Sequence, residues 1–136
     1  MRYNIVLHGT PKPMMSPRLG RWKTYDPLSA HKMQCVAQLQ AQCEKVGKKL
    51  DGALEVSLMF VFIPPLSASK KRREAMIRGE IRHTVKPDAD NCCKVALDIL
   101  KRCLIKDDAL VDGLSIKKKY GEEAMTLIGI EDTCKS

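Results

Sequence analysis

The feature that most restricts the fold is the apolar segment at residues 54–63, which reads LEVSLMFVFI. Its first residues alternate between apolar and polar side chains, and its last residues are continuously apolar. Because successive side chains of a strand point to opposite faces, this pattern predicts a β-strand that passes from a half-buried into a fully buried environment. Pro64 and Pro65 end the strand. A core must therefore form around its far end.

The second strong pattern predicts a mostly buried helix over residues 91–102. Apolar side chains cover most of its circumference and leave a narrow polar stripe of Lys94, Asp98 and Lys101. Cys92 and Cys93 lie among these apolar positions, where a free cysteine usually acts as a small buried hydrophobe. The helix should therefore pack on all sides except the stripe.

Weaker patterns predict the remaining elements, and a loop with three prolines, residues 11–23, opposes regular structure. The predicted elements are a strand at 3–7, a helix at 30–46 starting near Asp26, a short helix capped by Ser67 and stopped by Gly79, and two strands at 110–120 and 124–130 joined as a hairpin. This order predicts one α+β domain, residues 1–136, with a mixed sheet and helices mainly on one face.

Composition excludes several classes of protein. The chain has 136 residues, of which 44% are hydrophobic and 29% charged, and no segment approaches the ~20 apolar residues of a membrane span. Its first residues lack the pattern of a signal peptide, so a cytoplasmic protein with reduced cysteines is expected. None of the six cysteines forms a C-x-x-C pair, which argues against structural zinc.

The charge balance favours a polyanionic partner. The formal net charge is +8, and such an excess attracts phosphate backbones, although it can also serve solubility alone. Two regions concentrate the cations, and each could meet DNA phosphates or form a solvated face. They are the loop with Lys12, Arg18 and Arg21, next to Trp22, and the run Lys70, Lys71, Arg72 and Arg73.

The chemistry is concentrated in residues 86–91, which read KPDADN. Pro87 favours an extended chain, in which Asp88 and Asp90 would project to the same side. Two adjacent carboxylates repel each other unless a cation binds them, and Mg²⁺ or Mn²⁺ takes hard oxygen ligands of this kind. The alternative is that Asp90 or Asn91 simply caps the following helix.

Lys94 adds a cation one helical turn after Asp90, where it could contact a phosphate at a metal site. Its alternative role is a surface pair with Asp98, worth only ~0.2–0.5 kcal/mol. A third carboxylate could come from Asp107 or Asp108 in the turn after the helix. For that, the chain must bend back so that the carboxylates meet.

These residues in this order resemble the signature of the RusA-like Holliday junction resolvases of bacteria and their phages: K-P-D-x-D-N, a helix with a lysine, then a D-D turn leading into a strand. The resemblance implies an α+β fold, a homodimer, dependence on Mg²⁺ or Mn²⁺, and paired incisions at four-way DNA junctions in recombination and repair. By motif position, Asp88, Asp90 and Asp108 would bind the metal and Lys94 would be the catalytic cation.

The resemblance extends upstream through residues 63–83 and more faintly into the proline-rich loop, so the basic residues named above are expected at the DNA. His83 matches a histidine that often precedes the signature, with a role in loop structure or DNA contact. Two alternatives stay open: a broader structure-selective nuclease acting on forks or flaps, and a non-catalytic protein that binds branched DNA. One departure is Cys92-Cys93, where many relatives carry aliphatic residues.

Overall fold

A computed structural model describes residues 1–15, 18–19, 24–43 and 47–133, with only the backbone at 18–19 and 24–25. None of the helices in these ranges is long and apolar enough to cross a bilayer. The elements are β1 (Arg2–His8), β2 (Arg18–Leu19), β3 (Thr24–Tyr25), α1 (Ser29–Gln42), β4 (Leu54–Phe62), α2 (Lys70–Ile77), α3 (Ala89–Cys103), a 3₁₀ turn (Asp108–Leu110), β5 (Val111–Tyr120) and β6 (Met125–Asp132).

The strand predicted from the apolar segment lies inside the main sheet, whose order is β1-β6-β4-β5. β4 pairs with β5 in parallel and with β6 antiparallel, so the predicted α+β fold with a mixed sheet is confirmed. Alternate β4 side chains, from Leu54 to Phe60, are buried in a core that also contains residues of α1 and α3. A parallel β4-β5 pair requires a crossover, which α2 and α3 supply.

The predicted hairpin of the last two strands is wrong, because β4 lies between β5 and β6. Their connection passes over the end of β4, where the Gly121 N–H donates to the Phe62 carbonyl at 2.9 Å. A Cβ at position 121 would lie 2.5 Å from the Val61 side chain, so glycine permits this close crossing. The continuously apolar end of β4 explains the arrangement, since a central strand is covered on both edges.

Helix α3 is mostly buried, as its apolar pattern predicts, with Cys92 and Cys93 at 1% and 5% exposure. Burial raises the pKa of the Cys92 thiol to about 11, and burial also raises the pKa of Cys93. Both thiols therefore stay protonated and pack as small apolar groups. The departure from the aliphatic pattern leaves the helix in the core.

Helix α1 covers the open edge of the sheet with two glutamines. The Gln42 side chain exchanges hydrogen bonds with the Val6 N–H and carbonyl at 2.9 and 2.6 Å. Gln38 does the same for His8 at 2.7 and 3.3 Å. Because the two residues lie one turn apart on α1, they satisfy the outer backbone groups of β1 and block further strand pairing there.

A buried ammonium joins α1 to α3. Lys32 is 4% exposed and lies 2.7 Å from Asp26 and 3.0 Å from Asp98, while Arg102 also approaches Asp98 at 3.4 Å. Burial lowers the pKa of Lys32, but the hydrogen bonds from the two carboxylates outweigh it and the net shift is upward. Asp98 is thus engaged within the fold and does not pair with Lys94.

Candidate active site

Asp88 and Asp90 lie at the N-terminus of α3, in an arrangement that differs from the predicted extended pair. Asp88 is the N-cap residue, and Asp90 lies in the first turn because the helix starts at Ala89. The Asp88 side chain makes no capping hydrogen bond, and both carboxylates are exposed. The simple capping interpretation therefore fails for the side chain that occupies the cap. The partial positive charge of the helix end stabilises both anions.

Lys94 follows Asp90 by one turn on the same helix and is exposed. Within the described part of the chain it forms no ion pair, since Asp98 is bound to Lys32 and Arg102. The start of α3 thus presents two carboxylates and one ammonium to solvent, all without protein partners among the described residues. This set can bind a hard cation and a phosphate oxygen together.

The turn with Asp107 and Asp108 lies at the opposite end of α3. The Asp107 carboxylate accepts a hydrogen bond from the Ala109 N–H at 3.1 Å and caps the 3₁₀ turn. This bond, with Asp108 and then Lys101 acting in the same direction, lowers the pKa of Asp107. Asp107 is occupied by this local role, whereas the exposed Asp108 makes no such bond.

The expected return of Asp108 towards Asp90 does not occur within one chain. Asp107 lies near Lys101, and about 16 Å of helix axis separates Lys101 from Asp90. The described residues accordingly contain no group of three or more acidic, histidine or cysteine side chains that could hold a metal ion. The physical reason is the crossover: α3 runs back along the sheet, so its two ends lie a helix length apart.

The loop before Asp88 is fastened by a residue that the sequence patterns did not single out. The Lys118 ammonium donates to the Val85 carbonyl at 2.8 Å and to the Pro87 carbonyl at 2.9 Å. In register with β4, Lys118 lies beside the buried Phe60. The signal for it was a lysine in the strand row that also contains Ile116 and the buried Tyr120.

His83 anchors the start of the same loop. Its ring stacks on Phe62 with centroids 4.3 Å apart and contacts Tyr120 at 4.8 Å. The ring is 7% exposed, and its Nδ1 has no hydrogen-bond partner in the described structure. Burial, followed by the charge of Lys118, lowers the pKa of His83 and keeps the imidazole neutral near pH 7. Its place in the core favours the loop-structure interpretation over DNA contact.

The predicted basic regions are partly described. In α2, Lys70, Lys71 and Arg72 are exposed and Arg73 is half-buried, and the helix is capped by Ser69, which accepts from the Arg72 N–H at 3.2 Å, and not by Ser67. Gly79, with φ of +86°, ends this region as predicted.

The proline-rich loop contains a short antiparallel pair, β2 with β3, that its composition did not predict. Lys12 is exposed, Arg18 is described only by its backbone in β2, and Arg21 and Trp22 lie outside the described residues. The Met14 N–H donates to the Asn91 carbonyl at 3.0 Å, so this loop begins against the first turn of α3.

An open cavity of about 460 Å³ lies between this loop and the α3 N-terminus. It reaches Asp88, and its walls are mainly apolar. The residues that line it are Thr10, Pro11, Pro13, Met14, Phe62, Lys86, Pro87, Asp88 and Asn91. A nucleic-acid strand passing the two carboxylates has room here.

The fold and these exposed groups define an α+β protein with a polar reaction site at one helix start and cations nearby. Comparison with known proteins assigns the family: the chain belongs to the endodeoxyribonuclease RusA family, whose model matches residues 8–131. A similar protein is the uncharacterized protein YqaN of Bacillus subtilis (strain 168), 29% identical over 134 residues, which cover 94% of each chain. The expected family is thereby confirmed.

Proposed function

We propose that this protein is a Mg²⁺- or Mn²⁺-dependent endodeoxyribonuclease that resolves four-way DNA junctions. Its membership of an endodeoxyribonuclease family gives the reaction class. The observation that carries the finer proposal is the set of exposed, unpaired Asp88, Asp90 and Lys94 at the start of α3. Paired carboxylates beside an ammonium suit phosphodiester hydrolysis better than passive binding, because the carboxylates alone would repel DNA.

Asp88 and Asp90 fit a divalent cation by their chemistry. Both are hard oxygen donors without competing partners among the described residues, and Mg²⁺ typically keeps several waters and binds through one or two carboxylates. When bound, the metal would supply an activated water and Lewis-acid stabilisation of the phosphate. Lys94, one turn along the helix, would hold a non-bridging phosphate oxygen and offset the charge that develops during hydrolysis.

We further propose that the protein acts as a homodimer and that a second copy supplies Asp108. The support is the position of the two halves of the site along β5: Lys118 fastens the Asp88 loop, and Asp108 precedes Val111. About 23 Å of strand separates Val111 from Lys118. A two-fold axis near the middle of this edge strand would reverse it and bring the Asp108 end of one copy towards the Asp88 end of the other.

A cleavage assay on synthetic DNA tests the proposed function. We expect incision of a four-way junction, with both strands cut symmetrically, in Mg²⁺ or Mn²⁺ and none in excess chelator. Matched forks, flaps and linear duplex serve as controls. Equal rates on forks or flaps would assign a broader structure-selective nuclease, and junction binding without metal-dependent incision would assign a non-catalytic binding protein.

The basic run on α2 should contact DNA phosphates. Replacing Lys70, Lys71, Arg72 and Arg73 together by Gln should weaken junction binding and flatten its salt dependence by up to about 0.9 per lost contact. Binding measured between low and moderate salt gives the slope, with Lys48→Gln, an exposed lysine before β4, as control. An unchanged slope in the fourfold variant would leave this run as a solvated face.

A further inference from the structure

We propose that Lys118 is a positioning residue that fixes the Asp88 carboxylate by tying down the loop in front of it. This role rests on the proposed function, because it concerns the placement of the same metal-binding end of α3. Lys118 would not touch DNA or metal. It would act through the backbone of residues 85–87.

The geometry of the tie is specific. The Lys118 ammonium donates to two carbonyls, those of Val85 and Pro87, which precede Asp88 by three residues and by one. Both acceptors belong to the main chain, so the lysine fixes the path of the loop whatever its side chains do. The carbonyl of Pro87 is joined directly to Asp88, and a shift there moves the helix N-cap.

No other polar contact in the described structure holds residues 84–87. The loop is flanked by His83, packed between two aromatic rings, and by the first turn of α3. Between these anchors Val85 is 58% exposed and contributes little packing. Loss of the Lys118 ammonium should therefore free the loop while leaving both anchors in place.

The position of Lys118 in β5 argues against a solvated lysine. Ordinary strand alternation places it in the row of Ile116 and Tyr120, on the face covered by the core, whereas Lys117 and Lys119 point to the opposite, open face and are exposed. A half-buried ammonium is costly unless hydrogen-bonded, and the two carbonyls meet that requirement. Lys117 and Lys119 provide matched controls on the same strand.

Lys118→Met, Lys118→Arg and the control Lys117→Met test the proposal by two measurements. Backbone ¹⁵N relaxation of the free protein reports the order of residues 84–88, and single-turnover junction cleavage with titrated Mg²⁺ reports the reaction. For Lys118→Met we expect a disordered loop, a cleavage rate lower by about 10- to 100-fold and a higher Mg²⁺ requirement, with junction affinity unchanged. Lys118→Arg should recover most of both signals, and Lys117→Met should match wild type.

An ordered loop and a wild-type rate in Lys118→Met would overturn the proposal, and so would an equal loss of junction affinity and rate, which would make Lys118 a DNA contact. If Lys118→Met does not fold, Lys118→Arg is compared with Lys118→Gln, whose shorter amide cannot span both carbonyls. Equal loop order in those two variants would also overturn it. Absence of cleavage by wild type refutes the proposed function alone, because the relaxation measurement does not depend on activity.

Discussion

Asp90→Asn should lower junction cleavage by about 100-fold or more while junction binding stays equal or becomes tighter. The substitution keeps the size of the side chain and a residue tolerated in the first helical turn, so α3 should start unchanged. It removes one negative oxygen ligand from the proposed metal site, which lowers the rate. It also removes one charge that repels phosphates, which explains the retained affinity.

Single-turnover cleavage and a binding assay without metal separate the two effects. Asp51→Asn is the matched control: it makes the same change at an exposed aspartate that pairs with Lys106 at 3.3 Å, a surface contact worth about 0–1 kcal/mol. Wild-type cleavage by Asp90→Asn would remove Asp90 from the site. Loss of binding together with cleavage would point instead to a damaged helix start.

Mixing two inactive variants should restore cleavage if the site is shared between copies. Asp90→Asn and Asp108→Asn are each expected to be inactive, because each lacks one proposed ligand in both sites of a homodimer. In a mixed dimer one site collects both defects and the other has none. After equal mixing and exchange, about a quarter of all sites should be intact and should nick, but not symmetrically cut, the junction.

The pair Asp88→Asn with Asp90→Asn is the control for that experiment. Both substitutions fall in the same half of the site, so every site in every dimer keeps a defect and no activity should return. Native mass spectrometry of tagged copies confirms that mixed dimers form. Silence of the Asp90 and Asp108 mixture despite mixed dimers would mean that Asp108 is not donated by a partner, and the proposed shared site would be wrong.

The sequence predicted the start of α3 well because the signals there are local. Lys94 lies one turn from Asp90 by helix geometry alone, and the apolar stripe dictates that the helix is buried except where its polar residues emerge. The detail that failed is equally local: the helix starts at Ala89, so Asp88 is the cap and the two carboxylates do not form an extended pair. Helix ends are specified by fewer residues than helix interiors, which explains the offset.

What the sequence determined by itself is which segments are elements and which of their faces are buried, since periodicity records burial within one element. β4 and α3 follow directly from that record. Only the tertiary structure decided that β6 lies beside β4 and not beside β5, that Asp108 ends a helix length from Asp90, and that Lys118 reaches the loop before Asp88. These three facts depend on which element covers which, a competition between distant parts of the chain that leaves no regular pattern in either partner.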